Sequence, residues 1–375
     1  MAKQLLLIDG NSIVFRAFFA MHNQIDKFTN KDGLHTAAIY GFKLMLDHVL
    51  DKFHPDAALV AFDAGKVTFR TKMYDDYKGG RNKTPDELTE QFPYVRELVE
   101  ACGLHSYELK NYEADDIIGT LAKEGDEAGY ETLIVTGDRD LTQLASDHTT
   151  VAVTHKGVTD TEHYTPAHVE EKLGITPRQI IDMKALMGDS SDNYPGVTKI
   201  GEKTAIKLVK QFGSVENLYD HIDDLKKSKM KEHLVEDEEI ARQCKTLATI
   251  LQDAPLEISL DDIAYRGEQT EKLVAFYQQM GFKSFLAKMD LSPEEGADDS
   301  APVKYTELTA DNLAAVDQLK GELSFYLEMP DANYHTSPFA GFVIGDGTTW
   351  LVSRDAELLK QDRLKKLLES PAVAK

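Results

Sequence analysis

LLLIDG (residues 5–10) is an apolar run stopped by an acid, and the fold is read from its recurrence. The pattern returns as AALVAFD (57–63) and as TLIVTGD (132–138). Short apolar runs with β-branched members, separated by helical patterns, read as buried parallel strands. GFKLMLDHVLDKF (41–53) and LTEQFPYVRELVEACG (88–103) carry apolar residues at three-to-four spacing, as crossover helices do. The expected core is therefore an α/β domain on an open, parallel central sheet. Ligands of such sheets gather outside the carboxyl ends of the strands. Three strands deliver an aspartate to that edge: Asp9, Asp63 and Asp138.

The chain has 375 residues, of which 42 are Lys or Arg and 64 are Asp or Glu, a net charge of −22. That length suggests two or three domains, and 42% apolar residues exclude wholesale disorder. No apolar run is long enough to cross a membrane, and the start, MAKQLLLIDG, does not read as a signal peptide. Cys102 and Cys244 form neither a disulfide framework nor a Cys/His cluster. A cytoplasmic, zinc-free, monomeric protein with buried thiols is expected. The negative balance argues against nucleic acid, a fellow polyanion, unless charge is segregated along the chain.

From about residue 176 to 290 the pattern is helical, with many Lys and Gly. SPEEGADDSAP (292–302) is acidic and aperiodic, so a linker is expected at 291–302. GELSFYLEMP (321–330) and AGFVIGDGTTWLV (340–352) then read as strands, the second with a Gly-Asp-Gly turn. The expected domains are 1–173, 174–290 and 303–375, the last being short enough to suggest the start of something larger.

Further acids cluster in YEADDIIGT (Glu113, Asp115, Asp116), TGDRDLTQL (Asp138, Asp140) and MGDSSDNYPG (Asp189, Asp192). Glu113 and Asp116 share a helix face if the helix has begun by then, and Asp189 and Asp192 are likewise three apart. Single aspartates at strand ends are commonly caps. Many carboxylates converging without cations would repel one another, and divalent ions remove that penalty. All-oxygen ligands favour Mg²⁺ or Mn²⁺. Two such ions would activate water and stabilise the leaving oxygen of a phosphodiester.

The cations are concentrated too. Residues 66–83, KVTFRTKMYDDYKGGRNK, hold Lys66, Arg70, Lys72, Lys78, Arg81 and Lys83 against Asp75 and Asp76, with Tyr74 and Tyr77 interleaved. This suits single-strand binding by charge and stacking, and it directly follows Asp63. Lys78 and Arg81 are candidates for touching the scissile phosphate. The second basic segment, GVTKIGEKTAIKLVKQFG from Gly196, fails as a phosphate-binding P-loop because Glu202 stands where Lys is required. It reads instead as a Gly-punctuated hairpin with Lys199, Lys203, Lys207 and Lys210 along the following helix, able to hold duplex backbone without reading sequence. Asn11, two residues after Asp9, removes the second aspartate that an aspartyl-nucleophile phosphatase needs.

LLLIDGNSIVFRAFFA, AFDAG, FRTKMYDDYKGGR, YEADDIIGT, TGDRDLTQL, MGDSSDNYPGV and IGEKTA occur in that order. Together they resemble the 5′-nuclease (5′→3′ exonuclease) domain of bacterial DNA polymerase I, within the flap endonuclease family, over roughly residues 1–290. The resemblance implies a PIN-like nuclease core, a helical arch at about 66–95 and a helix–three-turn–helix DNA-binding element. It implies cleavage by two Mg²⁺ ions, Mn²⁺ substituting, at 5′ flaps, nicks and 5′ ends of DNA, with RNA primers as further substrates. Carried over by position, Asp9, Asp63, Glu113, Asp115 and Asp116 resemble one metal site. Asp138, Asp140, Asp189 and Asp192 resemble the other, with Asp115 or Asp116 bridging and acting in catalysis beside Lys78 and Arg81. Arg70, Tyr77, Lys78 and Arg81 match arch contacts to DNA. Gly196, Gly201, Lys203 and Thr204 match the duplex-binding hairpin, with Lys199 and Lys207 beside them and a K⁺ ion held there in some relatives. The tail resembles the opening of a ribonuclease H-like 3′→5′ exonuclease domain. Tyr326-Leu327-Glu328 lacks the aspartate of its Asp-x-Glu motif, which implies a vestigial, inactive remnant. A stand-alone 5′→3′ exonuclease of the same family is the alternative.

Overall fold

The computed structural model describes residues 2–21, 27–81, 83–156, 160–289, 304–320, 323–329 and 338–369. The chain divides into two compact units, Met1–Asp290 and Leu291–Lys375. The linker expected at 291–302 lies outside the described residues.

The first unit is an α/β structure on a six-stranded sheet. Its strands are β1 (Lys3–Asp9), β2 (Ala57–Phe62), β3 (His105–Glu108), β4 (Tyr130–Thr136), β5 (Thr149–Lys156) and β6 (Asp160–Tyr164), in the order β3-β2-β1-β4-β5-β6. All neighbours are parallel except β6, which returns antiparallel to β5. The alternation of a strand explains why β1 and β2 are apolar throughout. Leu5 and Leu7, with Ala57, Leu59 and Ala61, enter the core on one face. Leu6 and Ile8, with Ala58, Val60 and Phe62, enter the core on the other. Both faces are roofed by helices.

The helices of this sheet are α1 (Gly10–Met21), α2 (Ala37–Phe53), α3 (Phe69–Met73), α4 (Asp86–Thr89), α5 (Phe92–Ala101), α6 (Ala114–Glu127) and α7 (Pro166–Leu173). The order places the topological switch between β1 and β4, the point beyond whose strand ends sheets of this kind bind their ligands. Among the described residues of the arch expected at 66–95, the regular structure is the short helices α3 and α4 and the start of α5.

Beyond Leu173 the described chain to residue 289 has no strand. It forms α8 (Gln179–Met187), α9 (Glu202–Phe212), α10 (Val215–Asp220), α11 (Lys229–Glu236), α12 (Glu238–Ala248), α13 (Thr270–Met280) and α14 (Lys283–Leu286). Ile181, Tyr194, Cys244, Leu247 and Ala248 form a small cluster with Tyr77, and the other buried apolar residues of these helices join the cores of the sheet. Leu186, Ala205, Leu208, Val215 and Leu234 join the apolar cluster of Leu5, Ile117 and Ile134, so the elements on either side of 173/174 pack as one body. Cys102 and Cys244 are free and buried.

In the second unit, β7 (Tyr305–Glu307), β8 (Ser324–Glu328), β9 (Gly341–Gly345) and β10 (Trp350–Ser353) form a sheet ordered β7-β10-β9-β8, followed by α15 (Asp362–Glu369). Its core gathers Leu308, Val316, Phe342, Ile344, Leu351 and Leu364. In the Gly-Asp-Gly turn, the Asp346 carboxylate accepts from the Thr348 and Thr349 amides at 3.0 and 2.8 Å. No helix among the described residues is long and apolar enough to cross a membrane.

Candidate active site

The acids that follow the strands meet at the switch point. Asp9 ends β1, is 4% exposed, and accepts from the Ser12 amide at 3.0 Å and the Thr136 hydroxyl at 2.8 Å. Asp63 follows β2 and accepts from the Ala114 amide at 2.9 Å, which pins the start of α6. Its own amide donates to Asn11 Oδ1 at 3.1 Å, so Asn11 shapes the loop. Asp138 accepts from the Asp140 amide at 2.9 Å. Burial pushes the Asp9 carboxyl up to about 7, helped by Asp63 and Asp138. Burial raises Asp115, in the first turn of α6, with Asp9 and Asp138 adding to it. Asp140 rises to about 7 by burial and its neighbour Asp138, despite Lys184. Burial and mutual repulsion therefore resist ionisation at the centre of the cluster, and the Lys184 ammonium offsets this in part at Asp140.

The rim is different, because cations reach in. Lys78 Nζ lies 2.9 Å from Glu113, and Arg81 Nη2 lies 2.7 Å from Asp192. Burial alone would lower the Lys78 ammonium, but Glu113, Asp192 and Asp115 outweigh it and hold it above its ordinary range. On the far side Lys184 of α8 pairs with Asp140 at 2.7 Å and with Asp189. Nothing in the sequence singled out Lys184; its one clue was its place five residues before Asp189. Asp189 also accepts from the amides of Ser191 and Asp192, so the 189–192 loop folds around its carboxylate. Among the described residues, no three acidic, imidazole or thiol groups already converge as one metal-binding group.

Several expectations need correction. Arg70, expected on DNA, is 2% exposed. Its guanidinium holds the fully buried Asp116 with two 2.7 Å bonds and donates to the carbonyls of Leu247 and Thr249 at 3.0 and 2.6 Å. Asp116 is committed elsewhere as well, accepting from the Glu113 and Leu251 amides at 3.1 and 3.0 Å. The pair fastens α3 and α6 to the end of α12. This sets Asp116 apart from the acids gathered at the switch point. Glu113 and Asp116 do not share a helix face, because Glu113 is the N-cap of α6 and the two form a reciprocal capping box. Tyr77, expected as an exposed stacking ring, is 5% exposed and donates its hydroxyl to Glu113 and Asp192 at 3.2 and 3.0 Å.

The hairpin between α8 and α9 is tied at its neck. Gly188 and Gly196 both have positive φ, 74° and 65°, and press backbone to backbone, so a Cβ on Gly196 would strike the Gly188 amide. Gly196 is therefore buried in the neck rather than presented to a ligand. Gly201, the N-cap of α9, is exposed, as are Lys199, Lys203 and Lys207, and Thr204 is half-buried.

Known proteins agree with this geometry. The family described as 5′-3′ exonuclease, N-terminal resolvase-like domain, matches residues 4–174, and 5′-3′ exonuclease, C-terminal SAM fold, matches 175–271. The ribonuclease H-like domain of DNA polymerase I matches 325–375. DNA polymerase I of Streptococcus pneumoniae is 50% identical over 371 residues, 99% of this chain and 42% of the relative. That of Bacillus subtilis is 48% identical over 354 residues, 94% of this chain and 40% of the relative.

The chain belongs to the 5′-3′ exonuclease family of bacterial DNA polymerase I. It spans less than half the length of these relatives. The phage T5 5′-exonuclease solved with zinc ions bound shares the fold with a TM-score of 0.56 at 24% identity, covering 74% of this chain and 100% of its own. A phage T5 flap endonuclease solved with DNA and metal ions gives a TM-score of 0.55 at 23% identity, covering 76% and 98%. The acids beyond β1 and β4 are the candidate site of this family member.

Proposed function

We propose that the chain hydrolyses phosphodiesters at 5′ ends, nicks and 5′ flaps of duplex DNA, as the 5′-nuclease portion of a DNA polymerase I. The observation that carries this reading is the cluster of buried, mutually repelling carboxyls at the switch point, with Lys78 and Arg81 paired to acids at its rim. The polymerase setting is favoured over a stand-alone exonuclease by the likeness of residues 325–375 to the ribonuclease H-like domain. DNA synthesis would be a property of parts of the relatives that this chain does not span.

The donor set is all oxygen, and its carboxyls are held high by burial and mutual repulsion, which fits hard divalent cations such as Mg²⁺ or Mn²⁺. Asp9, Asp63, Glu113 and Asp115 would hold one ion and Asp138, Asp140, Asp189 and Asp192 the other; Asp116, bound to Arg70, would act behind them by fixing Glu113. The ions would supply an activated water and charge stabilisation at the leaving oxygen. Lys78 and Arg81 would turn from Glu113 and Asp192 to the scissile phosphate, where their charge stabilises the extra negative charge of the transition state. Lys199, Lys203 and Lys207, with the N-terminus of α9, would hold the duplex backbone, and a K⁺ ion in the hairpin would strengthen that contact. RNA primers would enter the same site. The core is best described as PIN-like and the α8–α9 element as helix–three-turn–helix.

Asp115→Ala tests the ligand assignment. Duplex binding measured by fluorescence anisotropy should persist while Mg²⁺-dependent cleavage is lost. Cleavage at the parent rate would remove Asp115 from the site.

A further inference from the structure

The cations Lys78 and Arg81 sit on a turn, 74–81, that has no regular structure of its own, and their arrival at the acids depends on what holds that turn. At its base the chain is fixed by Arg70, buried against Asp116, and by Gln243 of α12, whose side chain donates to the Met73 carbonyl at 3.1 Å. At its tip it is held by the loop that carries Asp189 and Asp192. The Lys78 amide donates to the Asp192 carbonyl at 2.8 Å, and Asn193 Nδ2 donates to the Asp76 carbonyl at 2.8 Å. The rings of Tyr77 and Tyr194 lie nearly parallel, 16° apart with centroids at 6.5 Å, and both are buried.

Two backbone details show how closely the segments are matched. Lys78 and Asn193 both adopt positive φ, 56° and 57°. That region suits asparagine but is uncommon for lysine, and it persists where the surroundings over-determine it. The Asp192 carbonyl receiving the Lys78 amide is such a constraint. The loop is shaped in turn by Tyr194, whose amide and carbonyl exchange bonds with those of Asp189 at 3.0 and 2.9 Å. The Tyr77 hydroxyl and the Arg81 guanidinium add contacts to the Asp192 carboxylate across the same seam, at 3.0 and 2.7 Å. A cleft of about 340 Å³ lies along it, lined by Tyr74, Met187, Asp189, Asn193, Tyr194 and Pro195.

We propose that Asn193 and Tyr194 are positioning residues that latch the 74–81 turn to the acid-bearing loop, delivering Lys78 and Arg81 to the site together. This rests on the nuclease reading above. Asn193 contributes one bond from outside the acidic cluster, and Tyr194 contributes a buried ring, so neither need touch the substrate. The latch couples the phosphate-facing cations to the acids they serve. If the turn lifts, both cations leave.

The test uses the full chain with Asn193→Gly, which keeps the positive φ and removes only the donor, and Tyr194→Leu, which keeps an apolar filling and removes the ring. Limited trypsin digestion without DNA or added metal, read by mass spectrometry, reports the turn through cuts after Lys72, Lys78, Arg81 and Lys83. In Asn193→Gly these cuts should accelerate about five-fold, the factor one such hydrogen bond is worth. The single-turnover rate on a 5′-labelled flap with Mg²⁺ should fall by a similar factor while affinity for the same DNA stays at the parent value. Tyr194→Leu should do the same more strongly. Parent-like digestion and turnover in both variants would overturn the latch, as would faster digestion throughout the chain or a loss confined to affinity. If the parent protein itself releases no product with Mg²⁺, the nuclease reading fails and the positioning role falls with it. Activity in the parent with unchanged variants sinks the latch alone.

Discussion

Asp115 and Asp116 are neighbours of the same chemistry, and the structure gives them opposite thermodynamic signs. Asp116 is fully buried and satisfied, with the Arg70 guanidinium on both oxygens at 2.7 Å and two amides completing its shell. In Asp116→Ala the Arg70 charge stays buried and loses its two-bond carboxylate, keeping the Leu247 and Thr249 carbonyls, the Phe69 ring at 4.5 Å and Glu113 at 3.5 Å. Removing one member of a buried pair costs about 3–5 kcal/mol, because the other charge loses the partner that met it with direct hydrogen bonds. For a unit of this size that lowers the melting temperature by roughly 6–20 °C. Asp115 is the reverse case, a carboxyl raised by burial and by Asp9 and Asp138. Asp115→Asn removes repulsion, so without metal the protein should melt higher than the parent. Differential scanning fluorimetry of the three proteins in EDTA decides the matter. An Asp116→Ala variant melting within about 2 °C of the parent, or an Asp115→Asn variant melting well below it, would refute the reasoning.

The same acids set a pH dependence. Burial pushes Asp9 and Asp140 up to about 7, so they keep protons that the unfolded chain has lost; their contribution to metal-free stability is full below about pH 4 and declines as pH rises through about 7. Melting in EDTA should therefore be higher at pH 5.5 than at 7.5, with Mg²⁺ narrowing the gap; a rise with pH in EDTA would contradict it. Lys78→Ala should slow the single-turnover rate roughly 100-fold with little change in DNA affinity, since its charge is used in the transition state; a loss in affinity alone would make it a backbone contact. Lys203→Ala should weaken duplex binding on all sequences and reduce the slope of log affinity against log salt by about 0.9, as for one phosphate contact. An unchanged slope would place Lys203 away from the DNA.

The parts of the fold legible in the sequence are those where one physical cause acts alone. Residues 5–8 and 57–62 could be read as strands because both of their faces are roofed, so every position had to be apolar. β3 (HSYE) and β6 (DTEHY) are the edge strands of the same sheet, half-exposed and polar, and carried no comparable signal. The acids following the strands were legible because topology sends every parallel strand end to one edge. What could not be read is which member of a chemically uniform set turns inward. Asp115 and Asp116 are one residue apart on a helix and so point about 100° apart, and only the packing of Leu251 and Arg70 decides which is enclosed. Charge alone places Arg70 among the arch cations, although its position on α3 buries it. Neighbouring cations make Tyr77 look like a stacking ring, and Lys184 gives no signal because a helical lysine is ordinarily solvated. The net charge misled for a related reason, since it sums over surfaces that never meet the same partner.

The most direct test of the nuclease reading is cleavage of a 5′-labelled flap annealed to a duplex, run with Mg²⁺ beside an EDTA control and beside the same single strand without its complement. Release of short 5′-labelled products near the flap junction, only with the metal and only when the duplex is present, is the expected result. Absence of metal-dependent product, or equal cutting of the unannealed strand, would contradict it.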